Sequence, residues 1–416
     1  MSFTEAGGMR RGVSLIAFGA FMCLISSVGQ TYFISLFGGE LRAAFDLSHG
    51  EFGLIYMIGT IASGATLILF GRIVDFLSLN NSSFIVLLGL AGVAAFAGLA
   101  WSPVALTVAI FGLRLFGQGM STHVGITAMA RHFQRFRGRA ISIASLGHAI
   151  GVAASPAFVI FLLAQMDWRQ AWFATAVLVI VLVPIVPLLL RGTGWRKPEA
   201  EVSVATAAAV RSTGARADYT LGQALRDPGL WLRLPALLAP AFISTGFFFH
   251  QVHLAASKGW DIDVMAYSFS AFAVATVLGL LIGGALVDWL SARRLVSVFL
   301  APLAASCAVL WAGNAAWSAP VFLGLMGFGA GLTQVLLGAL WAELYGVRYI
   351  GSIRSFATAM MVFSTGLAPF IMGAAIDVGV TMERIAVWSA LYCVGASVFS
   401  TMAARAFERR LRNDRP

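Results

Sequence analysis

Residues 51–77 read EFGLIYMIGTIASGATLILFGRIVDFL, and the only charged residue before Gly71 is Glu51 at the start. An α-helix rises about 1.5 Å per residue, so roughly 20 apolar residues cross a bilayer core of about 30 Å. The stretch has this length and ends in Gly71-Arg-Ile-Val-Asp75. We therefore predict that it crosses a membrane as an α-helix.

Similar apolar stretches recur along the chain, which is 59% hydrophobic and 11% charged, with a mean hydropathy of +0.86. A soluble protein carries about 25% charged residues, so this composition favours an all-α integral membrane protein. Twelve transmembrane helices are predicted at 11–38, 51–77, 84–101, 104–127, 140–164, 170–190, 231–256, 264–289, 295–313, 319–342, 353–376 and 385–404.

The net charge of +10 follows from topology. Of the 28 Lys and Arg residues, all but five fall in one set of alternating segments; Arg42, Arg169, Lys258 and Arg384 lie on the opposite side, and Arg114 lies within a span. By the positive-inside rule, both termini are predicted to be cytoplasmic, in a multi-pass protein of the bacterial inner membrane. We do not expect a nucleic-acid partner.

Enzyme and metal chemistry are not indicated. The three cysteines, Cys23, Cys307 and Cys393, stand singly within apolar stretches, unlike metal ligands or a disulfide framework. There is no phosphate-binding glycine loop with a lysine. We predict no enzyme activity, no cofactor and no bound metal.

An internal repeat divides the chain. The sequence Gly71–Asp75 returns as Gly284-Ala-Leu-Val-Asp288 after 213 residues, and Gly138 with Pro156 returns as Gly351 with Pro369 at the same offset. A stretch rich in Gly, Ala, Ser, Thr and Pro separates the copies. We predict a first six-helix bundle at 1–191, a cytoplasmic linker at 192–229, with a short helix near Leu221–Leu225, and a second bundle at 230–416.

These motifs resemble the major facilitator superfamily over essentially the whole chain. Gly71–Asp75 and Gly284–Asp288 are similar to its signature loop, and Arg114-Leu-Phe-Gly-Gln118 to its helix 4 arginine motif. The resemblance implies two pseudo-symmetric bundles whose helices 1, 4, 7 and 10 line a cavity.

Within that superfamily, Arg131–Ala140 and Gly351–Arg354 resemble the bacterial branch of monocarboxylate and oxalate/formate carriers. The helix 8 arginine of many such carriers is absent, since residues 264–287 contain no Lys or Arg.

Arg114 is placed near the bilayer centre, where a charge costs several kcal/mol unless it faces a cavity or a partner. Two interpretations stay open: it attracts an anion in the translocation path, or it is a structural arginine bonded to backbone carbonyls of helix 1 or 2. Other candidates lie on the cavity helices, although each one alone could instead hold helices together. The predicted substrate-binding residues are Arg114, Gln118, Ser27, Gln30, Thr31, Tyr32, Phe249, His250 and Gln334.

Charged residues at the predicted cytoplasmic helix ends are candidates for a gate. By the resemblance, the aspartates of the two signature loops face the starts of helices 11 and 5. The predicted gating residues are Asp75, Asp288, Arg137, Arg139 and Arg354.

The favoured function is a secondary transporter of a small organic anion that works by alternating access. No Asp or Glu occupies a central span position, which ranks a multidrug exporter of cations lower. A carrier for a zwitterionic or neutral solute remains the alternative. We also expect a coupling proton or a counter-anion, contact with membrane lipid and a monomeric protein.

Overall fold

A computed structural model describes residues 3–71, 76–133, 137–191, 218–346 and 348–413, and these contain helices and turns with no strand. Most of the predicted linker, together with Asp75, lies outside the described residues. The short helix predicted in the described end of the linker is present at Leu221–Leu225.

Nineteen α-helices are described. They are α1 (Phe3–Ile25), α2 (Thr31–Ile34), α3 (Gly38–Phe45), α4 (His49–Phe70), α5 (Leu79–Leu99), α6 (Pro103–Gly112), α7 (Thr122–His132), α8 (Arg137–Gln165), α9 (Trp168–Leu182), α10 (Ile185–Leu190), α11 (Leu221–Leu225), α12 (Pro228–Phe249), α13 (Gln251–Lys258), α14 (Ile262–Leu290), α15 (Ala292–Leu295), α16 (Ala301–Ala312), α17 (Ser318–Tyr345), α18 (Ile350–Asp377) and α19 (Met382–Asn413). Short 3₁₀ segments occupy Ser26–Gly29 and Ser35–Phe37, and a π-helix occupies Leu113–Ser121.

Eleven helical stretches in the described part of the chain are long and apolar enough to cross a membrane. They fall at eleven of the twelve predicted spans. The predicted span 295–313 differs, because residues 296–300 form turns and only α16 follows, with twelve residues. The chain is thus a multi-pass membrane protein, while the twelfth span and the cytoplasmic termini stay predictions.

Local sequence sets where several of these helices begin. The side chain of Ser48 accepts the amide of Glu51 and the Glu51 carboxylate accepts the amide of Ser48, forming a capping box at the start of α4. Asp167 caps α9 in the same way through Gln170. Such caps satisfy amides that have no partner within the helix.

The chain divides into two compact units. Unit 1 contains Met1–Ala200 with two segments from later in the chain, Phe248–His253 and Pro369–Asp377. Within it, α1 packs on α8 and α5 packs on α9. The predicted boundaries at 191 and 229 stay a prediction.

Unit 2 contains Glu201–Phe247, Leu254–Ala368 and Val378–Pro416. Its most extensive helix pair is α14 with α17. The buried Lys258 also connects segments of unit 2 that are distant in sequence. Its Nζ lies 3.0 Å from Glu383 Oε1 and donates a hydrogen bond to Asn314 Oδ1 at 2.9 Å.

Candidate functional site

The first transmembrane helix is interrupted at its polar residues. After α1 the chain forms the 3₁₀ segment Ser26–Gly29, and Gln30 then adopts an extended backbone with φ −85° and ψ 155°. An interruption of this kind removes carbonyls and amides from the helical hydrogen-bond pattern. Within a membrane such groups need other partners, so interrupted helices occur where protein or a cavity supplies them.

A second irregularity packs on the first. The π-helix Leu113–Ser121 lies in the span Pro103–His132. Its backbone packs closely on Gly29, since a β-carbon on Gly29 would collide with the Leu113 carbonyl and with Gly117. π-helical turns are rare and are frequent at functional sites. Two irregular backbones therefore meet at one point of unit 1.

Arg114 lies at this meeting point and is 2% exposed. Its Nη1 donates to the Gly29 carbonyl at 3.3 Å, and its guanidinium lies 5.3 Å from the ring centroid of Tyr56. Its Nε is buried without a hydrogen-bond partner. None of the ion pairs found among the described residues includes Arg114.

The Arg114–Gly29 bond matches the structural alternative, in which the arginine bonds a backbone carbonyl of helix 1. It does not remove the charge, because a carbonyl is neutral. The interpretation of Arg114 as an anion-binding residue stays a prediction.

Four hydroxyl groups form two hydrogen-bonded pairs in this part of unit 1. The Tyr32 hydroxyl donates to Ser27 Oγ at 3.1 Å, and Thr31 Oγ1 lies 2.6 Å from the Tyr56 hydroxyl. Gln30 and Gln118 are half-buried. We define the central cluster as Ser27, Gln30, Thr31, Tyr32, Tyr56 and Arg114.

Gln334, which was predicted with these residues, lies in α17 of unit 2. Its side chain is exposed in the middle of that helix, whereas the preceding Thr333 is buried and bonds the Gly329 carbonyl at 2.7 Å. An exposed amide at mid-span meets either lipid or a cavity.

Phe249 and His250 are brought into unit 1. Phe249 stacks on Phe52 and contacts Tyr56, with ring centroids 4.8 Å away in both cases. His250 is buried, and its Nε2 lies 3.0 Å from the Pro369 carbonyl. Phe249 thus joins the central cluster to the end of α12.

Further hydrogen bonds fix the same segment. Gln251 Nε2 donates to the Tyr32 carbonyl at 2.9 Å and to Ser35 Oγ at 2.8 Å, and Ser35 Oγ donates to the Phe248 carbonyl at 2.7 Å. All of these groups are buried.

Asp377, the last residue of α18, caps α4. Its Oδ1 accepts the His49 amide at 2.9 Å and its Oδ2 accepts the Gly50 amide at 2.7 Å. A carboxylate at a helix N-terminus is favoured by the helix dipole. We define the closure contacts as those that Phe248–His253 and Pro369–Asp377 make with the first 56 residues.

The predicted gating residues are only partly described. Asp75 and the side chain of Arg137 lie outside the described residues. Asp288, Arg139 and Arg354 are exposed near helix ends. Their role stays a prediction.

Sequence reasoning did not select Tyr56 or Asp377. Tyr56 carries a signal, since it is the one tyrosine in the predicted span 51–77. Asp377 carries none, because its partners are 327 and 328 residues away in the chain.

The chain matches a known protein family. The family model of the Major Facilitator Superfamily matches residues 17–369. No curated protein sequence matches the chain.

Solved structures resemble it in fold. One is a bacterial homolog of the human lysosomal transporter Spinster in an inward-facing, unoccupied conformation, with a TM-score of 0.72, 15% identity, and coverage of 96% of this chain and 98% of that one. Another is a bacterial homolog of Spinster in an inward-facing, occupied conformation, with a TM-score of 0.67, 16% identity, and coverage of 96% of this chain and 97% of that one.

Proposed function

Because the chain belongs to the major facilitator superfamily and is therefore a membrane transporter and not an enzyme, we propose that it carries a small organic anion, such as a monocarboxylate. The observation that carries this proposal is the buried charge of Arg114, which is 2% exposed and has an unpartnered Nε. A buried charge without an opposite charge costs several kcal/mol. A carboxylate substrate would supply that opposite charge.

The chemistry of arginine suits this substrate class. Its planar guanidinium binds a carboxylate through two parallel hydrogen bonds, which Lys cannot reproduce. In the described conformation one nitrogen already holds Gly29. We propose that the anion replaces the Gly29 carbonyl when the central cluster opens, with the Thr31 and Tyr32 hydroxyls as further donors.

The buried charges argue against a cation as substrate. Among the residues whose exposure the structure describes, the buried charged side chains are Arg114, Arg233 and Lys258. None is an acid that could pair with an organic cation within the membrane. An exporter of cationic drugs is therefore disfavoured.

We propose that transport proceeds by alternating access, with the closure contacts shutting one end of the path. Phe248–His253 and Pro369–Asp377 continue directly into helices of unit 2. Opening that end therefore requires the hydrogen bonds of Gln251 and Asp377 to break. We further propose that the protein is a monomer of the bacterial inner membrane.

A zwitterionic or neutral solute is the second candidate. The Arg114–Gly29 bond favours it, because an arginine committed to the backbone leaves only hydroxyl and amide groups in the central cluster.

A thermal-shift screen of the purified protein distinguishes these substrate classes. A ligand at about ten times its Kd stabilises the protein it binds by about 1.4 kcal/mol. We expect lactate or oxalate to raise the melting temperature, whereas alanine and tetraphenylphosphonium do not. Stabilisation by alanine alone would support the second candidate, and stabilisation by the cation alone would contradict both.

A further inference from the structure

Three histidine rings meet at one end of unit 1, within the closure contacts. His49 is the first residue of α4, while His250 and His253 follow α12. The ring centroid of His49 lies 4.5 Å from that of His253 and 5.7 Å from that of His250. The topology predicted from the basic residues places this end on the periplasmic side.

The other charged groups at this end are few. Arg42 of α3 acts electrostatically on His253. Asp377 of α18 uses both carboxylate oxygens on backbone amides. Glu51 of α4 is engaged with the Ser48 amide at 2.8 Å. The histidines thus face one arginine, which opposes their protonation, and one carboxylate, which attracts a protonated His49 while both of its oxygens accept backbone amides.

Protonation of these rings conflicts with their packing. Each proton would add a positive charge within 4.5 to 5.7 Å of another histidine, close to Arg42 and partly removed from water. Like charges at such distances disfavour the charged forms. The closed arrangement is therefore more stable with neutral imidazoles than with protonated ones.

The pKa directions agree with this geometry. Burial is the main cause that lowers the pKa of His250 to about 3. Burial and then the charge of Arg42 lower the pKa of His253. A histidine exposed to water has a pKa of about 6.5, so opening this end would raise both pKa values.

The lowered pKa values make the closed arrangement sensitive to pH. When the pKa of a basic group is lower in the closed arrangement than in the open one, the group contributes free energy to closure. That contribution is complete at pH values above the pKa of the open form, about 6.5. This contribution is lost progressively as the pH falls below 6.5 towards the depressed pKa. Acidification of this side would therefore weaken the closed arrangement.

We propose that His49, His250 and His253 form a proton-binding site that opens the predicted periplasmic end when the external solution is acidified. This rests on the proposed function, because opening is assigned to a transport cycle. The ligand is the proton, taken up by imidazole nitrogens as the rings separate. The protonated rings and Arg42 then present positive charge at the entrance, which attracts an organic anion.

A cysteine reporter tests the site without using transport. Ser35 is 1% exposed and forms two of the closure contacts itself, so position 35 becomes accessible only when they open, and the three natural cysteines are buried. Ser35→Cys in the full-length protein is reacted from outside with a membrane-impermeant maleimide. Because thiol reactivity itself depends on pH, each rate is divided by that of Val378→Cys, a position that is 80% exposed.

We expect the normalised rate to rise at least about threefold between about pH 7.5 and about pH 5.5. The double variant His49→Gln with His253→Gln should remove this rise, since glutamine stays neutral. His253→Lys, which keeps a positive charge at the site, should label fast at both pH values. His132→Gln, an exposed histidine outside the cluster, is the matched control and should retain the rise.

A rate that is independent of pH in the parent, or an equal rise in the double variant, would overturn the proton site. Anion binding is read separately by thermal shift. A flat labelling profile with intact anion binding rejects the proton site alone, whereas pH-dependent labelling without anion binding rejects the proposed substrate alone.

Discussion

Oδ2 of Asp377 accepts the backbone amide of Gly50 at 2.7 Å, across 327 residues of sequence. The carboxylate at the end of α18 thereby serves as a cap for α4. A cap that belongs to another helix is lost when the two helices separate, unlike a cap formed by neighbouring residues.

Asp377→Ala should therefore weaken the closure contacts. Loss of a helix cap costs about 1 kcal/mol, which corresponds to roughly a fivefold shift in an equilibrium. We expect maleimide labelling of Ser35→Cys from outside to become about fivefold faster at neutral pH.

Asp167→Ala is the matched control for that variant. Asp167 caps α9 through the amides of Arg169 and Gln170, both at 2.9 Å and close in sequence. It should lower the melting temperature with no change in Ser35→Cys labelling. Equal labelling in the two variants would show that Asp377 has no special role in closure.

Gly29→Ala should destabilise the central cluster. A β-carbon at position 29 would collide with the Leu113 carbonyl of the π-helix, and overpacking costs about 1–3 kcal/mol. Gly92→Ala provides the comparison, because nothing lies within 4 Å of an added β-carbon there. The melting temperature of Gly29→Ala should be lower than that of the parent, whereas that of Gly92→Ala should be unchanged. A parental melting temperature for Gly29→Ala would refute the close packing.

Asp288→Asn tests the gate suggested by the sequence motif. Asp288 is exposed, so we expect an unchanged melting temperature. If it stabilises the cytoplasm-closed state, its loss should increase labelling of Gln334→Cys from the cytoplasmic side. Asp263→Asn, at the other end of α14, should have no effect. Labelling that is the same in both variants would remove Asp288 from the gate.

The fold was largely predictable because it follows from apolar length and from repetition. Eleven spans fall where the hydropathy placed them. The span at 295–313 could not be resolved from hydropathy, because turn residues 296–300 are as apolar as a helix. Hydropathy predicts which segments lie away from water, but it does not predict whether each residue in them is helical.

The candidate site was predictable in part. A charge within an apolar span identified Arg114, since the energetic cost of burial makes such a residue informative. The break at Gln30 and the π-helix around Arg114 were not predicted, because neither has a local sequence pattern, and the close packing of Gly29 against Gly117 that accompanies them joins residues far apart in the chain. The closure contacts depend on pairs more than 200 residues apart, such as Ser35 with Gln251, which local patterns do not encode.

Anion uptake by Arg114→Gln, measured in proteoliposomes together with the melting temperature of the same preparation, tests the central claim most directly. Losing a charged hydrogen bond costs about 1.5–3 kcal/mol, so affinity should fall roughly 10- to 100-fold. We predict that Arg114→Gln folds and takes up almost no anion at concentrations near the parental affinity, and that Arg114→Lys transports it weakly because lysine lacks the planar fork. Normal folding of Arg114→Gln with anion transport at the parental affinity would contradict the claim.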